Sequence, residues 1–208
     1  MKNTYFITGI GTDVGKTIVS AIITEALEAD YWKPIQAGDL ENSDTHKVER
    51  LITNKKTVFH PNSFALKTPM SPHAAAEIDE IKITSAKIKP PKTINNLVIE
   101  GAGGLLVPIN DKETIIDLIR PKDKVILVSR HYLGSINHTL LSIEALKSRG
   151  LQCFGIIFNG KKNETSEDII LKMTEVHCLG RIEEEPYFDR NVIKEYAEEF
   201  KMKFKELL

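Results

Sequence analysis

Apolar residues occur along the chain as short runs, and longer segments of mixed polarity separate these runs. Several runs are continuous, for example NLVIEG, KVILVS and FGIIFN. Such runs are typical of strands that are buried on both faces of a parallel sheet. The six predicted strands cover residues 5–8, 31–35, 97–100, 125–129, 154–159 and 179–182.

Between the strands, apolar residues recur with helical spacing. The predicted helices cover residues 17–29, 43–52, 135–148, 166–176 and 192–207. The alternation of strands with helices predicts an α/β fold built on a doubly wound, mainly parallel sheet. Residues 57–92 show no regular pattern. In an α/β protein, a segment of this kind often covers the ligand site.

Composition narrows the class of protein. The chain has 208 residues, 41% of them hydrophobic and 27% charged, so we expect a single domain over residues 1–208 with a substantial core. A formal net charge of −1 offers no basic surface for nucleic acid, and no apolar run is as long as a membrane span. Cys153 and Cys178 lie in apolar segments, so we interpret them as reduced core residues of a cytoplasmic protein.

The first predicted strand leads into GIGTDVGKT, residues 9–17, and a helix follows. Strand, glycine-rich loop and helix form the context of a phosphate-binding loop, or P-loop. Glycines let backbone N–H groups approach an anion, and the helix N-terminus adds its dipole. Lys16 is expected to reach the phosphates and the Thr17 hydroxyl to bind Mg²⁺. The fold prediction therefore becomes a sheet of the P-loop NTPase type.

This loop departs from the strict pattern, because Ile10 occupies the position of its first glycine. Between Gly9 and Gly15 there is one residue more than the pattern allows, and the extra room contains Thr12 and Asp13. A carboxylate beside a phosphate is unfavourable unless it faces a cation or a positively charged second substrate. The alternative is that Asp13 points into solvent.

Three further polar residues follow predicted strands or begin a helix. Lys33 lies at the end of the second strand and Glu100 at the end of the third, where parallel sheets carry their ligand sites. Asp44 stands at a helix start, where an acid is also favoured by the helix dipole alone. Thr17, Asp44 and Glu100 together would offer oxygen ligands to Mg²⁺.

These segments, taken in order, resemble the dethiobiotin synthetase family. The resemblance covers residues 3 to about 160 and rests on the combination of motifs rather than on any single one. The segments that carry it are G-x-GTDVGKT from Gly9, YWKPI from Tyr31, NSD from Asn42, SPH from Ser71, EGAGG from Glu100 and LGSINH from Leu133.

The resemblance implies an ATP- and Mg²⁺-dependent cyclo-ligase, with ATP as co-substrate. Its other substrates are 7,8-diaminononanoate and CO₂, which pass through a carbamate and a carbamic–phosphoric anhydride to dethiobiotin. The family is homodimeric, with the LGSINH segment helping to complete the partner's substrate pocket. No nucleic acid and no membrane are implied as partners.

The family's functional residues carry over by matching position. The implied catalytic residues are Lys33, Lys16 and Thr12, and the implied metal ligands are Thr17, Asp44 and Glu100. The implied ATP-binding residues are Thr12, Asp13, Val14, Gly15, Lys16, Thr17, Asp44, Glu100, Gly101, Ala102, Gly103 and Asn159. The implied substrate-binding residues are Thr12, Lys33, Ala37, Ser71, Pro72, Gly103 and Asn137.

Three departures from the family pattern affect these expectations. Asp13 stands where the family commonly has Glu, and Ala37 stands where it often has a hydroxyl residue. The family's late L-G-x-I-P segment, which helps to read the nucleobase, appears here with three acidic residues, Glu183, Glu184 and Glu185, before the proline. We therefore expect discrimination between nucleobases to be weakened or differently built.

Three alternatives are considered. A non-catalytic nucleotide-binding module would leave Lys33 and Asp44 without a function. The chain could be a regulatory or partitioning P-loop ATPase, although such proteins typically carry a second lysine where Gly11 stands. The last helix could target a membrane, because its apolar residues form a stripe. Its lysines are balanced by glutamates, so a helix docked on the domain is the better interpretation. The stripe consists of Ile193, Tyr196, Phe200, Phe204 and Leu207.

Overall fold

The computed structural model describes residues 2–207, except for the side chain of Leu207. Residues 1 and 208 of the expected single domain lie outside the described part. The strands are β1 (Thr4–Gly9), β2 (Asp30–Trp32), β3 (Ile35–Ala37), β4 (Phe59–His60), β5 (Phe64–Leu66), β6 (Leu97–Gly104), β7 (Lys124–Arg130), β8 (Cys153–Asn159) and β9 (Cys178–Ile182). The helices are α1 (Lys16–Leu27), α2 (Asp44–Leu51), α3 (Pro72–Ile78), α4 (Ser135–Ser148), α5 (Glu164–Thr174) and α6 (Arg190–Leu207).

Seven strands form one parallel sheet in the order β4-β2-β6-β1-β7-β8-β9. The strand order reverses around β1, so the carboxyl ends of β1 and its neighbours β6 and β7 bound a topological switch point. The predicted doubly wound, mainly parallel sheet of the P-loop type is confirmed. The loop after β1 and the end of β6 therefore meet where α/β proteins bind ligands.

One predicted strand is divided. Residues 31–35 were expected to form a single strand, but β2 ends at Trp32 and β3 begins at Ile35. Pro34 has no N–H to donate to a neighbouring strand, so the ladder breaks there. β3 then pairs with β5 in a separate two-stranded parallel sheet. Lys33 is thus released from the main sheet at its carboxyl edge.

The predicted helices are present with shifted ends. The first begins at Lys16 and the last at Arg190, each slightly earlier than the apolar spacing indicated. Residues 57–92, which had no assigned element, contain β4, β5 and α3. These elements have two to seven residues, which is too short for a periodic pattern to identify.

Helix α6 packs on the domain through the apolar stripe predicted for it. Ile193 and Phe200 are fully buried, Phe204 is nearly so, and Tyr196 packs at the edge of the same cluster. The fifth residue of the stripe is Leu207, whose side chain lies outside the described part. Among the described helices, none combines the length and the apolarity that a bilayer crossing requires.

The packing of α6 predicts a large loss of stability for Phe204→Ala. The Phe204 ring contacts those of Tyr5 and Phe154, with centroid distances of 5.4 and 5.9 Å. Removing a buried aromatic ring should lower the free energy of unfolding by about 3–5 kcal/mol. Urea denaturation measures this loss. Met202→Ala on the same helix is the control, because Met202 is 59% exposed and should change stability by less than about 0.5 kcal/mol. Equal effects of both variants would show that α6 is not docked through this face.

Candidate active site

A cleft of about 700 Å³ opens at the carboxyl edge of the sheet, between the loop after β1 and the ends of β3 and β6. Most of the site residues predicted from the sequence line this cleft. The predicted residues that line it are Thr12, Asp13, Gly15, Lys16, Thr17, Lys33, Ala37, Asp44, Ser71, Pro72, Glu100, Ala102 and Gly103. Segments far apart in sequence therefore converge on one cavity.

The phosphate-loop geometry depends on two glycines that no other residue could replace without a shift. A Cβ on Gly9 would lie 2.4 Å from Val14, and a Cβ on Gly15 would lie 2.2 Å from the amide nitrogen of Asn159. Gly15 also has φ +95°, in the left-handed region. The loop thus turns tightly into the N-terminus of α1, whose free N–H groups and dipole favour an anion.

The extra residue of the loop is accommodated by Asp13, which adopts φ 55°. The Asp13 side chain is exposed and lines the cleft, and its backbone carbonyl accepts a hydrogen bond from Arg130 at 3.2 Å. An aspartate tolerates the left-handed region better than most residues. The carboxylate is thus held at the cleft mouth rather than inside the phosphate cradle.

Lys16 folds back across the loop. It is 8% exposed, and its ammonium donates to the Gly11 carbonyl at 2.8 Å. Burial, together with the positive charge of Lys33, lowers the pKa of Lys16 to about 8. A phosphate placed in the loop would supply the negative charge that the buried ammonium lacks.

Lys33 joins the two acids of the cleft. Its ammonium lies 2.7 Å from Asp44 Oδ2 and 2.9 Å from Glu100 Oε1, and it also donates to the Gly101 carbonyl at 3.1 Å. Burial alone would lower the pKa of Lys33, but the carboxylates of Glu100 and Asp44 outweigh it and raise this pKa. The lysine is therefore a fixed positive charge.

Glu100 is almost completely buried and accepts three side-chain hydrogen bonds. Thr17 and Lys33 donate to its Oε1, each at 2.9 Å, and the hydroxyl of Tyr31 donates to Oε2 at 2.9 Å. Burial and the nearby carboxylates raise the pKa of Tyr31 well above its usual value, so this hydroxyl stays a donor. Tyr31 was not predicted as a site residue. In the predicted strand of residues 31–35 it shares a face with Lys33, but that alternation does not reveal its partner Glu100 on a neighbouring strand.

Asp44 is positioned by the start of α2. Ser43 caps this helix by accepting a hydrogen bond from the His46 N–H, and the Asp44 N–H donates to Gln36 Oε1 at 3.2 Å. Burial alone would raise the pKa of Asp44. The positive charge of Lys33 outweighs burial, so the net effect is a lowered pKa. Gln36 is buried and was also missed, because no motif in the sequence marks it.

The side chains that meet here fit a magnesium ion. The donor set is one hydroxyl, Thr17, and two carboxylates, Asp44 and Glu100, and Lys33 already contacts both acids. The described residues contain no cluster of three or more His, Cys, Asp and Glu side chains that would form an all-protein cage. Mg²⁺ keeps waters and substrate phosphates among its ligands, so a hydroxyl with two carboxylates suffices.

Four predicted residues lie outside the lining of the cleft. Val14 is buried beneath the loop, and Gly101 faces Lys33 with its carbonyl. Asn159, at the end of β8, donates from its side chain to the Val14 carbonyl at 2.8 Å. Asn137 is exposed on α4. Their assigned roles stay predictions.

Comparison with known proteins identifies the family of this chain. A family model described as an AAA domain matches residues 3–192. The ATP-dependent dethiobiotin synthetase BioD of Christiangramia forsetii is 67% identical over 207 residues, covering 100% of both chains. The enzyme of the same name from Cytophaga hutchinsonii is 51% identical, covering 93% of this chain and 94% of its own.

Solved structures share the fold at low identity. The cell division ATPase MinD of Pyrococcus furiosus superposes with a TM-score of 0.66 at 15% identity, covering all of both chains. MinD from Pyrococcus horikoshii, complexed with Mg-ADP, gives a TM-score of 0.66 at 15% identity and covers 99% of this chain and 96% of its own. At such identity the likeness concerns the fold alone.

Proposed function

The chain belongs to the dethiobiotin synthetase family, and we propose that it uses ATP to close 7,8-diaminononanoate and CO₂ into the cyclic urea of dethiobiotin. The observation that carries the proposal is the buried Lys33–Glu100–Asp44 cluster beside a phosphate loop. A regulatory P-loop ATPase is no longer retained, because relatives 67% and 51% identical to this chain carry the synthetase name.

The expectation that both cysteines are core residues is wrong for Cys178, which is exposed, whereas Cys153 is half-buried. Both thiols are free, and on that basis we propose a cytoplasmic location.

The proposed reaction begins with the diamine. One amine nitrogen attacks CO₂ and loses a proton, which forms a carbamate. A carbamate oxygen then attacks the γ-phosphorus of ATP, and the bond from that phosphorus to the bridging oxygen breaks to release ADP. The second amine attacks the carbonyl of the resulting carbamic–phosphoric anhydride. It expels phosphate and loses its proton, which closes the ring.

The residues of the cleft supply what these steps require. Phosphoryl transfer needs positioning and neutralisation of charge more than a protein nucleophile. Lys16 lies over the loop that would cradle the β- and γ-phosphates, and Lys33 brings a second fixed positive charge to the same cavity. Thr12 and Asp13 line the mouth, where the diamine would approach. The Asp13 carboxylate suits a substrate that carries ammonium groups.

We propose that Thr17, Asp44 and Glu100 hold Mg²⁺ with the nucleotide. When bound, the ion would neutralise charge on the phosphates. Of the remaining predicted substrate contacts, Ala37, Ser71, Pro72 and Gly103 line the cleft, whereas Asn137 lies outside it. Ala37 offers no hydroxyl, so its contribution is shape rather than hydrogen bonding.

An assay of phosphate release tests the function directly. ATP, Mg²⁺ and bicarbonate are supplied with and without 7,8-diaminononanoate, and release is expected only with the diamine.

Lys33→Ala should lower turnover by about 10²- to 10³-fold, as for other lost charge-stabilising groups. Lys56→Ala is the control, because Lys56 does not line the cleft and its side chain, which pairs with Glu28, is 69% exposed.

Two results would contradict the proposal. Phosphate release that does not depend on the diamine would mean that the protein hydrolyses ATP for another purpose. Near-normal turnover of folded Lys33→Ala would mean that this lysine is remote from the reaction. Circular dichroism of the variant at the assay temperature establishes that it is folded.

We also propose a homodimer that completes the substrate pocket. A second cavity, of about 390 Å³, lies between the segment after β6 and α4, and Leu106 and Leu141 line it. These two leucines are 59% and 58% exposed, and Leu133 is fully exposed. Neighbouring exposed leucines mark a protein contact surface. Asn137, on the same helix as Leu141, would then contact the substrate of the partner subunit.

Leu141→Asp should convert the dimer to a monomer, because a carboxylate would be buried in an apolar contact. Light scattering after size exclusion should give twice 23.4 kDa for the natural chain and 23.4 kDa for the variant. Met173→Asp on α5 is the matched control, since Met173 is 59% exposed on another helix. A monomeric natural chain, or a dimeric Leu141→Asp variant, would refute this contact.

Nucleobase selectivity is proposed to be weak. The side-chain amide of Asn159 donates a hydrogen bond to the Val14 carbonyl. Glu185 accepts a hydrogen bond from the Tyr196 hydroxyl at 2.6 Å. Glu183 pairs with Arg181 at 3.2 Å. These polar groups therefore already have partners within the protein. Strong discrimination between nucleobases requires polar groups that hydrogen-bond to the base instead.

We expect kcat/KM for ATP to exceed the values for GTP and CTP by less than about tenfold, since few buried polar groups would be left unpaired by the wrong base. Steady-state assays with each nucleotide at saturating diamine measure these ratios. A preference for ATP above about 10³-fold would be incompatible with this proposal.

A further inference from the structure

The hydroxyl of Tyr31 is the only described side-chain donor to Oε2 of Glu100. The other oxygen of this carboxylate, Oε1, accepts from both Thr17 and Lys33. The last torsion of a glutamate side chain is broad, so a carboxylate held at one oxygen can still rotate. A donor at Oε2 removes that freedom and fixes the plane in which Oε1 faces the cleft.

We propose that Tyr31 is a positioning residue, which holds Glu100 so that its carboxylate presents the cation site together with Thr17 and Asp44. The inference rests on the proposed function, because it takes Glu100 as a ligand of the nucleotide-bound Mg²⁺. Outer-shell partners of this kind orient a ligand without touching the ion.

Tyr31 is suited to this role because burial and packing fix its side chain in place. It is fully buried in the sheet, its N–H donates to the Val58 carbonyl at 3.0 Å, and its ring packs on Phe59 with a centroid distance of 5.9 Å. The parallel register sets Tyr31 beside Val98, two residues before Glu100 on the neighbouring strand. The hydroxyl therefore reaches Glu100 from a fixed point.

The other two donors to Glu100 have additional contacts. Lys33 also binds Asp44 and the Gly101 carbonyl, and Thr17 lies in the first turn of α1 beside the phosphate loop. Both line the cleft, where a nucleotide would compete for Lys33 and a cation for Thr17. Tyr31 is the contact to Glu100 that lies in the core cluster, away from this competition.

Tyr31→Phe tests the inference, since it removes the hydroxyl and keeps the ring. The affinity of the variant for ADP is measured by calorimetry over a series of Mg²⁺ concentrations and again in EDTA. We expect the Mg²⁺ affinity of the ADP complex to fall about 10- to 100-fold, as for other outer-shell partners of a metal ligand. The affinity for ADP in EDTA should change by less than about twofold, because the phosphate loop is intact.

Tyr5→Phe is the matched control. Tyr5 is also fully buried in the sheet, on β1, but its hydroxyl has no hydrogen-bond partner among the described residues. Its removal should leave the Mg²⁺ dependence unchanged. A double-mutant cycle adds a second measurement: in the Glu100→Gln background, Tyr31→Phe should have little further effect, because the carboxylate it positions is gone.

Each outcome decides the inference. An unchanged Mg²⁺ affinity in Tyr31→Phe, or an equal loss of ADP affinity in EDTA, overturns the positioning role. If the affinity of the natural chain for ADP does not depend on Mg²⁺, both the positioning role and the proposed metal site are overturned. Mg²⁺-dependent ADP binding that is weakened by Tyr31→Phe supports the role even if phosphate release proves independent of the diamine, which would refute the proposed substrate alone.

Discussion

The structure of the cleft depends on one buried ammonium group. Glu100 was expected to end its strand, but β6 continues to Gly104, so this carboxylate lies within a strand at the centre of the sheet. An uncompensated carboxylate there would cost several kcal/mol. Lys33 neutralises it and at the same time draws in Asp44 from the start of α2. The ion pairs therefore join the middle of β6, the break after β2 and the first turn of α2. The ion pairs of Lys33 therefore determine both the shape of the cleft and its charge.

The same break explains why Lys33 is available. Pro34 ends the hydrogen-bonded ladder one residue beyond the lysine, and the chain leaves the main sheet to form a separate pair of strands. Within a continuous strand, the residues beyond Lys33 would be tied to the ladder. The interruption lets residues 35–37 form a second wall of the cleft and brings Gln36 to the backbone of Asp44.

The sequence predicted those parts of the site that depend on local pattern. The phosphate loop was identifiable because β1, the glycines and α1 are consecutive, and Glu100 was identifiable because a charged residue ends an apolar run. Tyr31 and Gln36 were not, because their roles depend on which strands are neighbours and in which register they pair. The short elements of residues 57–92 were missed because tertiary contacts, not periodicity, define them. The roles assigned to the site residues, including those of Asn137 and Asn159, all stay predictions.

The contact between Gly15 and Asn159 has a consequence for how this enzyme family can change. The glycine of the loop and the asparagine at the end of β8 fit so closely that a single added carbon would overlap the amide. The same amide supports the loop through Val14. The loop that is predicted to bind phosphate and the asparagine that is predicted to read the base are thus in direct contact. A substitution that enlarges either one would displace the other, so a change in one requires a compensating change in its neighbour.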